Sequence, residues 1–313
     1  MTSKSNPTFQ VLDKRRMQTT DQELPELPGS AKYRRHVTLL GYLGADHARD
    51  FLQRKGASAD GLIQAMQHGE RAETRIRSLS PMPETAAAQP IENAAALSEI
   101  QRVMSRPECK SAYPEGSWKA ELVEIGAMIP IQPSLDIDYA RNLDSSDLTS
   151  SNLLPAVKLC FAEKHPMEFD VSVDQRQKAV SIHGINPSLE VTGLRYECQP
   201  DGGPMLVSFM VGPAPNIVVV SRYGGRHFLS SGYHRVYHLM RAGYSHVPCA
   251  VREVTNPAQA GAYGPDVFRE QVLMAPRPPL FPDFVDPELA AIVPLPARHR
   301  VVRIRPDEYF VPG

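Results

Sequence analysis

Cysteine is scarce in this chain, with four residues in 313, and Cys109, Cys160, Cys198 and Cys249 form no C-x-x-C pair. That spacing argues against a zinc site and against a disulfide framework, and leaves reduced thiols as the expectation. Charge of one sign is missing too: Lys plus Arg total 34 against 35 for Asp plus Glu. The molecule as a whole therefore has no field that holds DNA or an anionic membrane, and any nucleic-acid contact must rest on a local patch. No uncharged apolar run approaches the length of a bilayer span, and the polar opening Met1 to Pro7 leads into no apolar stretch. No membrane contact and a cytoplasmic location are the expectation. No internal repeat is visible.

What is present is a soluble composition, 42% apolar and 22% charged, in a chain long enough to bury a core without staples. Its 29 prolines outnumber 20 glycines, which implies extended, irregular segments. Residues 1–30 mix Lys14, Arg15 and Arg16 with Pro-Glu-Leu-Pro and lack periodicity, so a mobile arm is expected. From Lys32, apolar residues at Val37, Leu39, Leu40, Leu43, Phe51, Leu52, Leu62, Ile63 and Met66 recur at roughly helical spacing. Residues 31–115 thus read as a helical N-terminal region, interrupted by a linker over 78–96 that runs into a helix from Ala95 to Met104.

After Trp118 the pattern turns to α+β. Ala120 to Ile131 favours a strand and Leu153 to Ala162 a helix. Short β-type runs follow at Phe169–Val173, Ala179–Ile182, Leu189–Val191, Leu194–Tyr196 and Met205–Val211, with a turn at Asp201-Gly202-Gly203-Pro204. The tail over 257–313 strings Pro276, Pro278, Pro279, Pro282, Pro287, Pro294 and Pro296 among Leu280, Phe281, Phe284, Leu289 and Ile292. It cannot form a regular domain and is expected to wrap over the domain or over a partner subunit, which makes a homo-oligomer or protein partner a candidate.

The segment from Asn216 to Arg252 carries the most information. Val218 to Val220 reads as a buried strand, Gly224-Gly225 as a hairpin turn, and Arg226 to Leu229 as the returning strand. Gly232 then opens a helix with Val236, Leu239 and Met240 on its apolar face and Gly243 beyond its end, before His246 to Arg252 resumes strand. A glycine ahead of a helix lets main-chain N–H groups point at an anion, where the macrodipole also favours negative charge. Phosphate is the natural guest. Arg235 is suited to clamp it, and His234 to donate to it or move a proton near neutral pH. A purely structural use is the alternative: Arg235 on a carboxylate, His234 on a buried carbonyl.

Gly232-Tyr233-His234-Arg235, followed by Leu239, Gly243, Val247 and Pro248, resembles the Gly-x-His-Arg signature of the ParB/sulfiredoxin-like superfamily. Ile129-Pro130-Ile131-Gln132-Pro133 is similar to the opening of its ParB-type domains. The resemblance implies a ParB/sulfiredoxin-like core over 116–256 with a β-rich insertion, and a nucleotide, ATP or CTP with Mg, held at Ser231, Gly232, Tyr233, His234 and Arg235. His234 and Arg235 become the catalytic candidates if the nucleotide is used for phosphoryl transfer or nuclease-like chemistry. Tyr233 stands where sulfiredoxins have their nucleophilic cysteine, which argues against sulfinic-acid reduction. Ser231 stands where kinase-like members place an acid, and Ser134 where an arginine usually follows Gln-Pro. A scaffold or DNA-associated module that keeps the fold without the chemistry is the competing expectation. A bound metal together with a nearby acid, Asp136, Asp138 or Glu253, would favour the enzyme.

Two further patterns stand apart. His234 and His238 share a helix face at i, i+4, but Arg235 follows where a zincin has Glu and no third ligand is evident, so no metal site is expected. Arg298, Arg300, Arg303 and Arg305 suggest a strand with one basic face, a surface for nucleic acid or an acidic partner, or a charged edge that resists aggregation.

Overall fold

The computed structural model describes residues 33–82, 88–140, 148, 152–162, 169–184, 189–198, 203–298 and 300–311. The described residues divide into two compact units, the larger within 29–164 and 215–297 and the smaller within 165–214 and 298–313. The architecture is α+β. The arm over 1–30, residues 83–87 of the linker and Asp201-Gly202 of the turn lie outside the described residues.

The larger unit starts with β1 (Tyr33–Thr38), where a helical pattern was expected. Tyr33 and Arg35 face outward while Arg34 and His36 are half-buried, a period of two that outweighs the helix-like spacing of the leucines after it. Partners on both sides, supplied by distant parts of the chain, settle the matter, as described below. The helices α1 (Ala45–Lys55) and α2 (Ala59–Arg77) follow, the first closed by Gly56 in the left-handed conformation and the second capped by Ser58, whose hydroxyl accepts from Gly61 N. Within the expected linker, β2 (Ala88–Pro90) is a strand. Asn93 caps α3 (Ala94–Met104), and Pro107 opens the short α4 (Pro107–Ala112).

The strand expected over 120–131 is two strands, β3 (Lys119–Glu124) and β4 (Met128–Pro130), split by a 3-10 turn at Ile125–Ala127. The split matters because the pair lie on opposite sides of the central strands. Next come β5 (Ser134–Asp136), α5 (Ile137–Ala140) and α6 (Leu153–Cys160), the last capped by Asn152.

In the smaller unit, β6 (Phe169–Asp174) and β7 (Ala179–Gly184) form a hairpin, and β8 (Leu189–Glu197) pairs with β9 (Leu206–Pro213). The two runs expected at 189–191 and 194–196 are one strand with a bulge between Val191 and Gly193. Cross-strand pairing puts Val191, Leu194 and Tyr196 on one face with Val211, Phe209 and Val207.

The chain then returns to the larger unit through β10 (Val219–Tyr223), β11 (Arg226–Ser231), α7 (Tyr233–Arg241) and β12 (His246–Glu253). The main sheet has the order β2-β3-β12-β10-β11-β4, with β10 parallel to β12, β11 parallel to β4 and the remaining neighbours antiparallel. Its middle strands are valine-rich because both faces are covered: Val219, Val220, Val247, Cys249, Ala250 and Val251 are all buried. Tyr233, Val236 and Leu239 form the buried side of α7.

Residues 257–297 pack on this unit through α8 (Glu270–Leu273) and β13 (Ala291–Pro296). Arg226 donates to the carbonyls of Leu273 and Ala275, at 2.8 and 2.9 Å, and Phe281 and Phe284 are buried. Ala291, Val293 and Leu295 of β13 point inward, and Pro294 and Pro296 are tolerated because β13 is an edge strand. β13 and β5 flank β1 in a second sheet, all antiparallel. The last strand, β14 (Arg300–Ile304), belongs to the smaller unit and pairs with β7. Its arginines do not share one face. Positions 300 and 303 have opposite parity in a strand, and Arg300 Nε donates to Leu189 O while Arg303 reaches Gln177. Among the described residues no helix is long and apolar enough to cross a membrane.

Candidate functional site

Ser231 to Arg235 lie where β11 ends and α7 begins. Glycine is required at 232 on two grounds. Its φ is +96°, and an added Cβ would stand 2.7 Å from Val218 Cγ2 and 3.0 Å from Val218 Cα. The Gly232 carbonyl accepts from the N–H groups of Arg235 and Val236, at 3.0 Å each. No side chain caps the helix start, so the first amides of α7 keep their partial positive charge without a side-chain acceptor.

Tyr233 turns its ring into the core, where it is 6% exposed. Its hydroxyl donates to Leu229 O at 2.8 Å and accepts from Ile131 N at 2.6 Å and Gln132 N at 3.0 Å. Burial pushes the pKa of this hydroxyl well above its ordinary value. The side chain thus ties the Ile129–Pro133 segment to the turn, and only the main chain of Tyr233 is left for a ligand.

His234 packs its ring on Tyr139, with centroids 4.6 Å apart and planes tilted by 51°. Its Nε2 is buried and has no hydrogen-bond partner among the described residues. Burial pushes its pKa down to about 4; Asp136 opposes the shift, while His36, Arg235 and Arg34 add to it. The imidazole is therefore neutral near pH 7, able to donate or accept one hydrogen bond but not to act as a cation.

Arg235 is half-buried, and no hydrogen bond or ion pair from a described residue reaches its guanidinium. Burial lowers its pKa, opposed by Cys160 and Tyr139. The other half-buried arginines among the described residues are provided for. Arg34 pairs with Asp136, Arg222 with Glu121 and Glu253, and Arg277 with Asp283. Arg226 and Arg252 donate to carbonyls or a hydroxyl, and Arg106 also has a partner. Buried or half-buried cations are ordinarily paired, so Arg235 is the exception among the described residues.

The pairing of β1 with β5 sets His36 opposite Asp136, beside this turn. His36 Nδ1 lies 3.3 Å from Ser134 Oγ, and Arg34 is 3.2 Å from Asp136 Oδ2. Asp136 Oδ1 accepts from Asp138 N and Tyr139 N, at 3.0 and 2.9 Å. Asp138 pairs with Arg35 and Glu253 with Arg222. Each of the three acids is thus already engaged. Arg34, His36 and Tyr139 were not singled out from the sequence. The alternation Arg34, His36, Thr38 was the available signal, obscured by the leucines that follow. Ser231 closes β11 opposite Val219, and its hydroxyl has no partner among the described residues.

His238, one turn along α7, also has a buried Nε2 without a partner. It does not join His234 in a metal site: among the described residues no group of three or more His, Cys, Asp or Glu side chains is placed to hold a metal ion. It lines a separate cleft with Tyr237 and Arg241. Comparison of the chain with protein-family models, with curated proteins and with solved structures found no match.

Proposed function

We propose that the turn from Ser231 to Arg235 binds the phosphates of a nucleotide, ATP or CTP with Mg, in a core of the ParB/sulfiredoxin-like type. The observation that carries this reading is Arg235, a half-buried guanidinium without an anionic partner, one residue from a buried, unpartnered His234 Nε2 and at an uncapped helix start. A phosphate at the helix start supplies an acceptor for the first amides of α7 and an anion for Arg235. The Gly-x-His-Arg motif at a strand-to-helix junction, with Ile129-Pro130 in a strand parallel to β11, is what supports the fold assignment.

The reading favours a bound nucleotide that stabilises one conformation over one that is turned over. Asp136, the acid whose charge reaches His234, already holds Arg34 and the start of α5, so it is not free to serve as a base. Tyr233, buried and triply hydrogen-bonded, offers no nucleophile. His234 and Arg235 are on this reading ligand-binding residues.

Calorimetric titration with ATP, ADP, CTP and GTP, each with and without Mg, tests the proposal against an Arg235→Met variant. Binding of one nucleotide in the micromolar range, weakened at least about tenfold in the variant, is expected. No binding to any of the four by a folded wild-type protein overturns it.

A further inference from the structure

A cleft of about 510 Å³ opens on the far part of α7, within the size range of small-ligand sites. Its apolar wall comes from four separate elements: Val37 of β1, Ile137 of α5, Phe284 of the tail and Ile292 of β13. Ile292 is 64% exposed, a large apolar side chain left to solvent at the mouth. Tyr237, His238, Arg241 and Asp286 line the rest of it. His238 keeps its Nε2 buried, and the exposed Arg241 has neither a hydrogen bond nor an ion pair among the described residues. Asp286 uses Oδ1 to accept from Glu288 N at 2.8 Å, and no described cation pairs with its carboxylate. The cleft therefore holds one cation and one anion that do not meet each other, and an apolar surface.

We propose that this cleft binds a small zwitterion with an apolar side group, of the class of the hydrophobic and aromatic α-amino acids. The carboxylate is matched to Arg241, the ammonium to Asp286, and the side group to the wall of Val37, Ile137, Phe284 and Ile292. The physical grounds are that Arg241 and Asp286 line one cleft and pair neither with each other nor with another described charge, so both are open to a ligand of matching charges. Burial lowers the His238 pKa, so the imidazole adds no charge to the cleft. A purely anionic ligand would be opposed by Asp286 and a purely cationic one by Arg241, whereas a zwitterion meets both. The inference is independent of nucleotide binding, since none of the cleft's polar groups belongs to the Ser231–Arg235 turn.

The test is ligand-observed NMR titration of the full chain with L-leucine, L-phenylalanine and L-tryptophan, and with their N-acetyl and amide derivatives, which remove one charge each. Saturable binding of at least one free amino acid, with a Kd of about 1 mM or tighter, is expected. Either derivative should bind about tenfold more weakly. Asp286→Asn, which keeps the acceptor for Glu288 N, should erase the difference between the free amino acid and its N-acetyl form. Arg241→Gln should erase the difference between the free amino acid and its amide, with thermal melts confirming that both variants fold. Arg235→Met should leave this binding unchanged, so that failure of the nucleotide site and failure of the cleft are separate results. Absence of saturable binding up to about 10 mM, or equal binding of free and derivatised forms, overturns the proposal.

Discussion

The larger unit contains two buried polar clusters around an arginine, and they are built in opposite ways. Around Asp283, 6% exposed at its side chain, every strong group is matched. The carboxylate receives Tyr42 Oη at 2.7 Å, the Arg277 guanidinium at 2.7 and 3.1 Å, and Leu280 N at 2.9 Å, while Arg277 also lies over the Tyr42 ring. Burial and the Asp283 charge raise the Tyr42 pKa well above its ordinary value, so the hydroxyl remains a donor. No described carboxylate pairs with Arg235, His234 Nε2 is unmatched among the described residues, and no described side chain caps the helix start. The first cluster closes on itself and fastens the proline-rich tail to Tyr42, in the 3-10 turn Leu40–Tyr42; the second leaves polar groups unmatched among the described residues. Both hold an arginine and an aromatic ring, so hydrogen-bond satisfaction and not residue type tells them apart.

That contrast is open to attack by mutation. The largest effect expected is at the closed cluster, where Asp283→Ala leaves Arg277 charged and unpaired in the interior. Stability should fall by about 3–5 kcal/mol, read from urea unfolding. A loss below about 1 kcal/mol would remove the distinction between the clusters. Next is Tyr233→Phe, which strips the acceptor from Ile131 N and Gln132 N and the donor from Leu229 O. A loss of about 2 kcal/mol is expected; if the turn binds nucleotide as proposed, affinity should change far less than with Arg235→Met, because the Tyr233 hydroxyl is already engaged in the core.

The pH dependence sharpens the comparison further. His227 and His234 both have folded-state pKa values pushed down to about 4, in each case first by burial. Below the unfolded value of about 6.5 the unfolded chain binds more protons than the folded one, so stability is present above that pH and lost as pH falls toward 4. Each histidine contributes up to about 1.4 kcal/mol per pH unit in that window. His227 is 3% exposed; its Nε2 accepts from Arg222 Nε at 3.1 Å, and its buried Nδ1 has no partner among the described residues. His234 lies at the candidate turn. A bound phosphate should raise the His234 pKa and flatten its share of the slope, leaving that of His227 intact; unfolding midpoints at a series of pH values with and without nucleotide read this directly. The smallest effect expected is the most diagnostic. Arg235→Met removes an unpaired half-buried charge, so the free protein should keep its stability or gain up to about 1 kcal/mol. A clear loss instead would mean that Arg235 is paired after all.

Legibility from sequence followed contact range. In 216–252 the valine run, the Gly-Gly turn, the glycine before α7 and the apolar positions Val236 and Leu239 appear as expected, because hairpin and helix signals are carried by neighbours in the chain. The same local logic located α3, α6 and strands β6 to β9. It failed at β1, whose partners are residues 134–136 and 291–296, and at 120–131, where a 3-10 turn sends one run of apolar residues to two places in the sheet. It also placed four arginines on one face of β14 that strand periodicity separates.

The sequence by itself determined the glycine turn and its basic residues, since only glycine accepts that backbone angle beside Val218 and the motif lies within five consecutive positions. Only the tertiary structure decided what those residues meet. Tyr233 reads in sequence as part of a ligand turn and is in fact a core strut; Arg235 reads as an equal candidate for a structural salt bridge and has no described acid to make one with. Whether a polar group is satisfied depends on partners about a hundred residues away, Asp136 for Arg34 and Ile131 for Tyr233. Those partners are fixed by sheet pairing and core packing rather than by local pattern.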